Sequence, residues 1–360
     1  MAGRVTFRGA VSAPSLLMEM REAVAAHLGR RGVSEKANAA MVARTAVMLG
    51  VTFGAYAAIL SGRLSPLAML GLAVVMGVGI AGIGLGIAHD ALHGAYSSDP
   101  RLNRLLGFSF DLVGASSYLW NNGHNVAHHT FTNIVDVDGD VASSPLLRKS
   151  PDAELRPGHR YQHLYAFPLY CLATLNWVFI KDYKDIFKRE GGHRPWDIAG
   201  VLGLKALYYG WSIVVPLLVV PVAWWQFLIG YAVMHLTTGL ILGTVFQLAH
   251  LVEGVEFPVP DENGLVAEDW VAHQLATTSN FANGNRLLTW YLGGLNHQIE
   301  HHLFPRMCSV HYPSIRSIVH DIALRRGLRY RHHPGLLAAI ASHYRFLKRM
   351  GTPSAPAATA

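Results

Sequence analysis

Four stretches without a single charged side chain set the terms for this protein. Residues 45–62 (TAVMLGVTFGAYAAILSG) and 66–88 (PLAMLGLAVVMGVGIAGIGLGIA) are separated only by Arg63, Leu64 and Ser65. Residues 206–223 and 224–249 form a second such pair. Each stretch has or approaches the ~20 apolar residues that a helix needs to cross a bilayer. Lipid offers the backbone no hydrogen-bond partner, so a chain of this composition crosses as helix. Four membrane-spanning helices in two tight hairpins are therefore expected. Only 15% of the 360 residues are charged, against roughly 25% in soluble domains. Together with a mean hydropathy of +0.25, that excludes an ordinary water-soluble domain.

Basic residues fix the expected orientation. Residues 1–44 hold seven Lys or Arg, residues 89–199 hold eleven and residues 253–360 hold ten, whereas the hairpin tips hold only Arg63. The positive-inside rule places both termini and the long central loop in the cytosol. The opening residues MAGRVTFRGAVSAPSLLMEM have no continuous apolar run and do not read as a cleaved signal peptide. Cys171 and Cys308 make no disulfide framework. The net charge of +7 fits basic flanks against anionic lipid; with no basic recognition motif, nucleic acid is not an expected partner. Residues 1–44 read as a cytosolic segment, 45–350 as one membrane domain and 351–360 as a disordered tail. Between the hairpins, 105–120 and 164–180 are apolar but short or interrupted, as for segments lying at the interface or dipping into the membrane.

Twenty histidines are present, and their placement matters more than their number. Three clusters stand out: HDALH (His89, His93), HNVAHH (His124, His128, His129) and HQIEHH (His297, His301, His302). On an α-helix, residues four apart share a face. His89 with His93, and His124 with His128, can then converge on one ion. The adjacent His129 or His302 is rotated by about 100°, so an HH pair suits two metals side by side. His250, at the cytosolic end of the fourth stretch, joins them as a candidate ligand. Imidazole serves Fe, Zn, Cu or Ni alike. Asp90 stands where a zinc protease motif needs Glu, and the Glu-x-x-His pattern of soluble di-iron bundles is missing.

Other candidates are read more plainly. His235, in mid-span, is expected to be a neutral imidazole hydrogen-bonded within the bundle. His159, His163, His193 and His273 lie in polar stretches and read as solvated. His332 and His333 precede Pro-Gly but lack the second glycine of a haem motif. Asp136, Asp138 and Asp140 fail the spacing of a calcium loop and read as a turn or as carboxylates orienting imidazoles. Tyr118, Trp120 and Trp290 are candidates for an aromatic tunnel or for interfacial anchors.

HDALHGAYS, YLWNNGHNVAHHTFTNI, FQLAH and GGLNHQIEHHLFP together resemble the membrane-bound fatty acyl desaturases, and among these the front-end, delta-6-like acyl-lipid type of cyanobacteria and other bacteria. The likeness runs from about residue 45 to 350. It implies an all-α integral membrane protein with a cytosolic helical cap holding a di-iron site. It also implies iron ligands at His89, His93, His124, His128, His129, His301 and His302, with His250 between the boxes. The family register puts Gln298 at the start of the third box, whereas His297 gives the i,i+4 pairing with His301; His297 is taken as the stronger donor. The implied reaction is oxygen-dependent insertion of a cis double bond into a long acyl chain carried on a lipid or on CoA. Two irons and O2 serve as cofactor and co-substrate. No fused cytochrome b5 domain is expected, so electrons would come from a separate ferredoxin or cytochrome b5. A hydroxylase of the same di-iron class is the nearest alternative. A His-rich metal carrier is disfavoured because the spans hold almost no ionisable side chain.

Overall fold

Two helical hairpins stand side by side, with a helical cap at one end of them. A computed structural model describes residues 5–8, 15–188 and 191–353. A short strand β1 (Thr6–Phe7) precedes α1 (Leu16–Arg30). The first hairpin is α2 (Ala39–Leu60) and α3 (Pro66–Leu92). The Asn38 side chain caps α2, while Ser65 and Pro66 start α3. Then come α4 (Pro100–Leu112), α5 (117–131), and a bent pair, α6 (Pro157–Cys171) and α7 (Ala173–Ile186). The second hairpin is α8 (Pro195–Val219) and α9 (Trp224–His250). Beyond it lie β2 (Leu265–Val266), α10 (Trp270–Thr277), β3 (Asn280–Phe281), α11 (Arg286–Tyr291), α12 (Gln298–Leu303), α13 (Tyr312–Arg325), β4 (His332–His333) and α14 (Leu336–Met350). The strands pair in parallel, β1 with β2 and β3 with β4.

Small residues let the spans touch. At the tips, a Cβ on Gly62 would lie 2.9 Å from Pro221 Cδ. One on Gly77 would lie 2.6 Å from Met234 O, where α3 meets α9, and one on Gly239 would lie 2.7 Å from Tyr170 O, where α9 meets α6. The hairpins therefore run parallel, tips together, and bring the ends of α3 and α9 to the same level. Those ends carry His89 and His250.

The helices overrun the charge-free windows. α2 takes in Arg44 and α8 takes in Lys205, both buried. Arg44 donates to Gly82 O (3.4 Å) and Tyr291 O (3.5 Å). Lys205 Nζ lies 2.6 Å from Asp182 Oδ2 and donates to Gly114 O at 2.6 Å. A satisfied cation does not end a span, and that is why charge alone placed the boundaries wrongly. In the other direction, α8 stops at Val219 rather than 223, because Val220 is extended ahead of Pro221.

The segments between the hairpins take two forms. α4 exposes Leu102, Leu105 and Phe108 and buries Phe110 and Asp111, as an interfacial helix does. α6 and α7 meet at 62°. Near the bend, Thr174 donates to His235 O, deep in α9, so this pair dips into the bundle rather than crossing straight. His235 is hydrogen-bonded within the bundle as expected, with Tyr208 Oη at 2.9 Å and Thr174 Oγ1 at 3.1 Å from its ring.

The cap has its own apolar core, built from Met20, Val24 and Leu28 of α1 against Leu275, Ile299, Ile315 and Val319. The expected tail from 351 is described only in its first three residues. Gly351 is buried and its N–H reaches Leu347 O at 3.1 Å, while 354–360 lie outside the described residues.

Candidate metal centre

The first box stands on regular helix. His89 follows a π-helical turn at Ile83–Ala88, and His93 is the C-cap one turn later, so the two rings meet edge-on on one face with centroids 4.6 Å apart. His301 from α12 meets them at 4.5 Å and 5.0 Å, and His124 from α5 at 5.7 Å and 5.5 Å. One nitrogen from each of His89, His93, His124 and His301 falls within 4.8 Å of all the others. All four residues are buried.

A second cluster joins His128, His250 and His302 under the same criterion. Ring centroids are 4.7 Å apart for His128–His250, 4.9 Å for His250–His302 and 5.0 Å for His128–His302. His129 stands between the clusters. It lies 4.6 Å from His93 and from His301, and 4.4 Å from His302. The HH pair of the third box thus reaches both clusters, His301 the first and His302 the second, while both also fall in one group with His129.

The second box departs from the α-helical expectation. His124 groups with His89, His93 and His301, and His128 with His250 and His302, while His124 and His128 also fall together with Asp140, their rings stacking at 4.8 Å. The cause is local: Asn121–His128 is π-helical, and its wider turn aligns residues five apart. His124 Nε2 accordingly meets His129 Nε2 at 3.2 Å.

The donor set fits metal ions. The Nε2 atoms of His89, His93, His301 and His302 are buried without a hydrogen-bond partner among the described residues. On the outer side, the Nδ1–H of His124 donates to Asp140 (2.7 Å), of His128 to Asp138 (2.9 Å), of His302 to Gln274 Oε1 (2.8 Å) and of His250 to Thr277 O (3.3 Å). His301 Nδ1 lies 3.2 Å from Tyr312 Oη. These partners hold the tautomer that leaves Nε2 free to ligate. Burial, then the crowding of like imidazoles, holds His93, His129, His301 and His302 well below the ordinary histidine range. Burial takes His124 down to about 4 despite Asp140. Burial also opposes the charged form of His128, but the Asp138 carboxylate outweighs it and leaves that group raised. Neutral imidazole is the form a metal binds.

His297 is not gathered into either cluster. The helix begins at Gln298, and His297 is its N-cap with non-helical backbone (φ −106°, ψ 58°); its carbonyl accepts from His301 N–H at 3.0 Å, but its ring does not join His301 in a cluster. Its Nδ1 lies 3.7 Å from Glu300 instead. Gln298 is buried and its Oε1 has no partner among the described residues. Two histidines expected in solvent are buried. His159 is held between Arg156 N–H and Pro145 O, and His273 packs against the Phe7 ring at 4.9 Å. His193 accompanies Tyr118 at 3.0 Å. Of the three named aromatics, Trp120 stacks on His124 with centroids 4.3 Å apart, while Trp290 is 38% exposed. Asp136 is exposed and takes positive φ (64°), leaving Asp138 and Asp140 as the orienting carboxylates. Gln274, Tyr312 and Thr277 carry no motif that would have singled them out.

Four spans, a cap at one end and a paired imidazole site beneath it define a membrane protein built around a histidine-rich metal site. The model of the family "Fatty acid desaturase" matches residues 64–334. The chain is 36% identical over 347 residues to the sn-1 linoleoyl-lipid 6-desaturase of Synechocystis sp., covering 93% of this chain and 95% of that protein. It is 35% identical to the protein of the same name from Arthrospira platensis, covering 92% and 91%. It is also 36% identical to the acyl-lipid (8-3)-desaturase of Physcomitrium patens, covering 86% of this chain and 66% of that longer protein. The chain belongs to the fatty acid desaturase family, and within it stands with the front-end-like acyl-lipid desaturases.

Proposed function

We propose that this desaturase inserts a cis double bond toward the carboxyl end of a long-chain acyl group carried on a membrane lipid, using O2 and two iron ions. The front-end, acyl-lipid part of this reading is supported by the names of the relatives above. The iron pair is supported by one observation above all: two adjoining, buried imidazole clusters with His129 between them. His89, His93, His124 and His301 would hold one ion, and His128, His250 and His302 the other, with His129 at the junction. When bound, the irons supply the activation of O2 that removes hydrogen from two neighbouring methylenes.

What the chain itself does follows from its geometry. Asp138, Asp140, Gln274 and Tyr312 fix the ring orientations. Burial of the ligands keeps bulk water from the reacting carbon. Trp120, backed by Phe110 at 5.6 Å, makes a stiff apolar wall beside the first cluster, suited to holding an unactivated methylene in place. Residues 45–350 form the desaturase domain in this reading, with 1–44 ahead of it and 351–360 as a tail. The basic flanks support a cytosolic cap at a bacterial inner membrane and the docking of an acidic electron carrier, a ferredoxin or free cytochrome b5.

The test is expression in a host of known lipid profile with fatty acid analysis by mass. A new product two mass units lighter than its precursor is expected. A product heavier by one oxygen would make the enzyme a hydroxylase instead.

A further inference from the structure

A groove of about 580 Å³ opens the cap surface down to the metal site. Its inner end is His129, buried, with an Nδ1 that has no partner among the described residues. Its walls are apolar, including Val24, Leu303 and Phe304. Its rim carries Arg21 and Arg306, both exposed. Among the described residues no carboxylate pairs with either guanidinium. Glu35, on the same rim, has Lys36 Nζ at 3.2 Å, and Glu19 of α1 is taken by Arg325 and Arg326. The mouth therefore presents two uncompensated guanidinium groups above an apolar slot that ends at a histidine of the centre.

The groove also lies near an exposed apolar helix edge. Asn125, on its wall, donates to Leu92 O at 3.0 Å. Leu92 in turn packs on Gly107 of α4, the helix whose Leu102, Leu105 and Phe108 lie exposed. An amphipathic helix with that apolar edge rests at the headgroup level of a bilayer.

We infer that this groove is the mouth through which the acyl chain reaches the metal centre, and that Arg21 and Arg306 bind the phosphate of an anionic glycerophospholipid carrying it. The inference rests on the desaturase reading and deepens it by naming the head group. Guanidinium forks match phosphate oxygens in charge and geometry.

The experiment uses the full chain in nanodiscs, with Arg21→Glu and Arg306→Glu singly and together. Spin-labelled dilinoleoyl phosphatidylglycerol reports binding, and desaturation is followed on that lipid, on linoleoyl-CoA and on a neutral dilinoleoyl galactolipid. For the phosphatidylglycerol, each substitution is expected to weaken binding and raise KM roughly tenfold with kcat unchanged. The galactolipid is expected to show no change. Unchanged binding and KM for phosphatidylglycerol would overturn the assignment. So would an equal loss on the galactolipid, a preference for linoleoyl-CoA, or a defect that appears only in the dependence of rate on electron carrier. Wild-type protein inactive on all three substrates would instead count against the desaturase reading itself.

Discussion

Which nitrogen of each imidazole is held, and by what, decides the chemistry at the residue scale. Asp138 reaches His128 Nδ1 at 2.9 Å and Asp140 reaches His124 Nδ1 at 2.7 Å. Loss of such an orienting partner typically costs 10–100-fold in metal affinity, so Asp138→Asn should lower iron retention by about that factor in a chelator-competition assay while the protein stays in the membrane. His128→Ala or His301→Ala should abolish unsaturated product without loss of insertion; lipid analysis beside a membrane-fraction immunoblot checks both. A separate histidine governs pH dependence away from the metal. His343 is fully buried, donates Nδ1–H to Leu251 O (2.5 Å) and accepts from Tyr170 Oη (2.8 Å). Burial lowers it from 6.5 to about 4. The unfolded chain binds the proton first as pH falls, so this stabilisation is whole above pH 6.5 and lost as pH drops toward 4. At ~1.4 kcal/mol per unit, it amounts to about 3 kcal/mol. Melting midpoints of wild type and His343→Gln should therefore converge between pH 6.5 and 4.

Elements differ in how far sequence alone reveals them. The first box was legible because His89 and His93 sit on one helical face, and His301 and His302 of the third box reach different imidazole clusters. The π-turn at 121–128 was not legible, and with it the contact of His124 with His129, five residues on. His297 was misread because Gly293 and Gly294, both at positive φ, delay the start of α12 until Gln298. His159 and His273 looked solvated because local polarity says nothing of the tertiary cover that buries them. The same limit applies to Lys205, whose partner Asp182 is distant in the chain. Asp182 also accepts from Ser116 N–H and Trp177 Nε1, so the pair braces the approach to α5 against α7 and α8. Lys205→Met, which strands that carboxylate, should cost about 3–5 kcal/mol in stability. Where α9 meets α6, Gly239→Ala should cost about 1–3 kcal/mol, because the added methyl meets backbone atoms that cannot yield. Thermal unfolding in detergent reads both.

For the whole molecule, two parallel hairpins put every ligand at one end and both tips at the other, so topology and function are tested together. A cysteine introduced by Ser61→Cys should react with an impermeant maleimide in intact cells, whereas Thr352→Cys should react only after the membrane is opened. The reverse pattern would turn the cap outward. Long-range closure gathers His89, His124, His250 and His301 from four separate helices into one site, and the paired site is what makes the molecule a candidate oxygen-activating enzyme. Iron counted per chain in a purified, active preparation tests that pairing most directly. Two irons per chain are expected, falling together with activity when a chelator strips them. A preparation that desaturates lipid with one iron per chain, or with none, would contradict it.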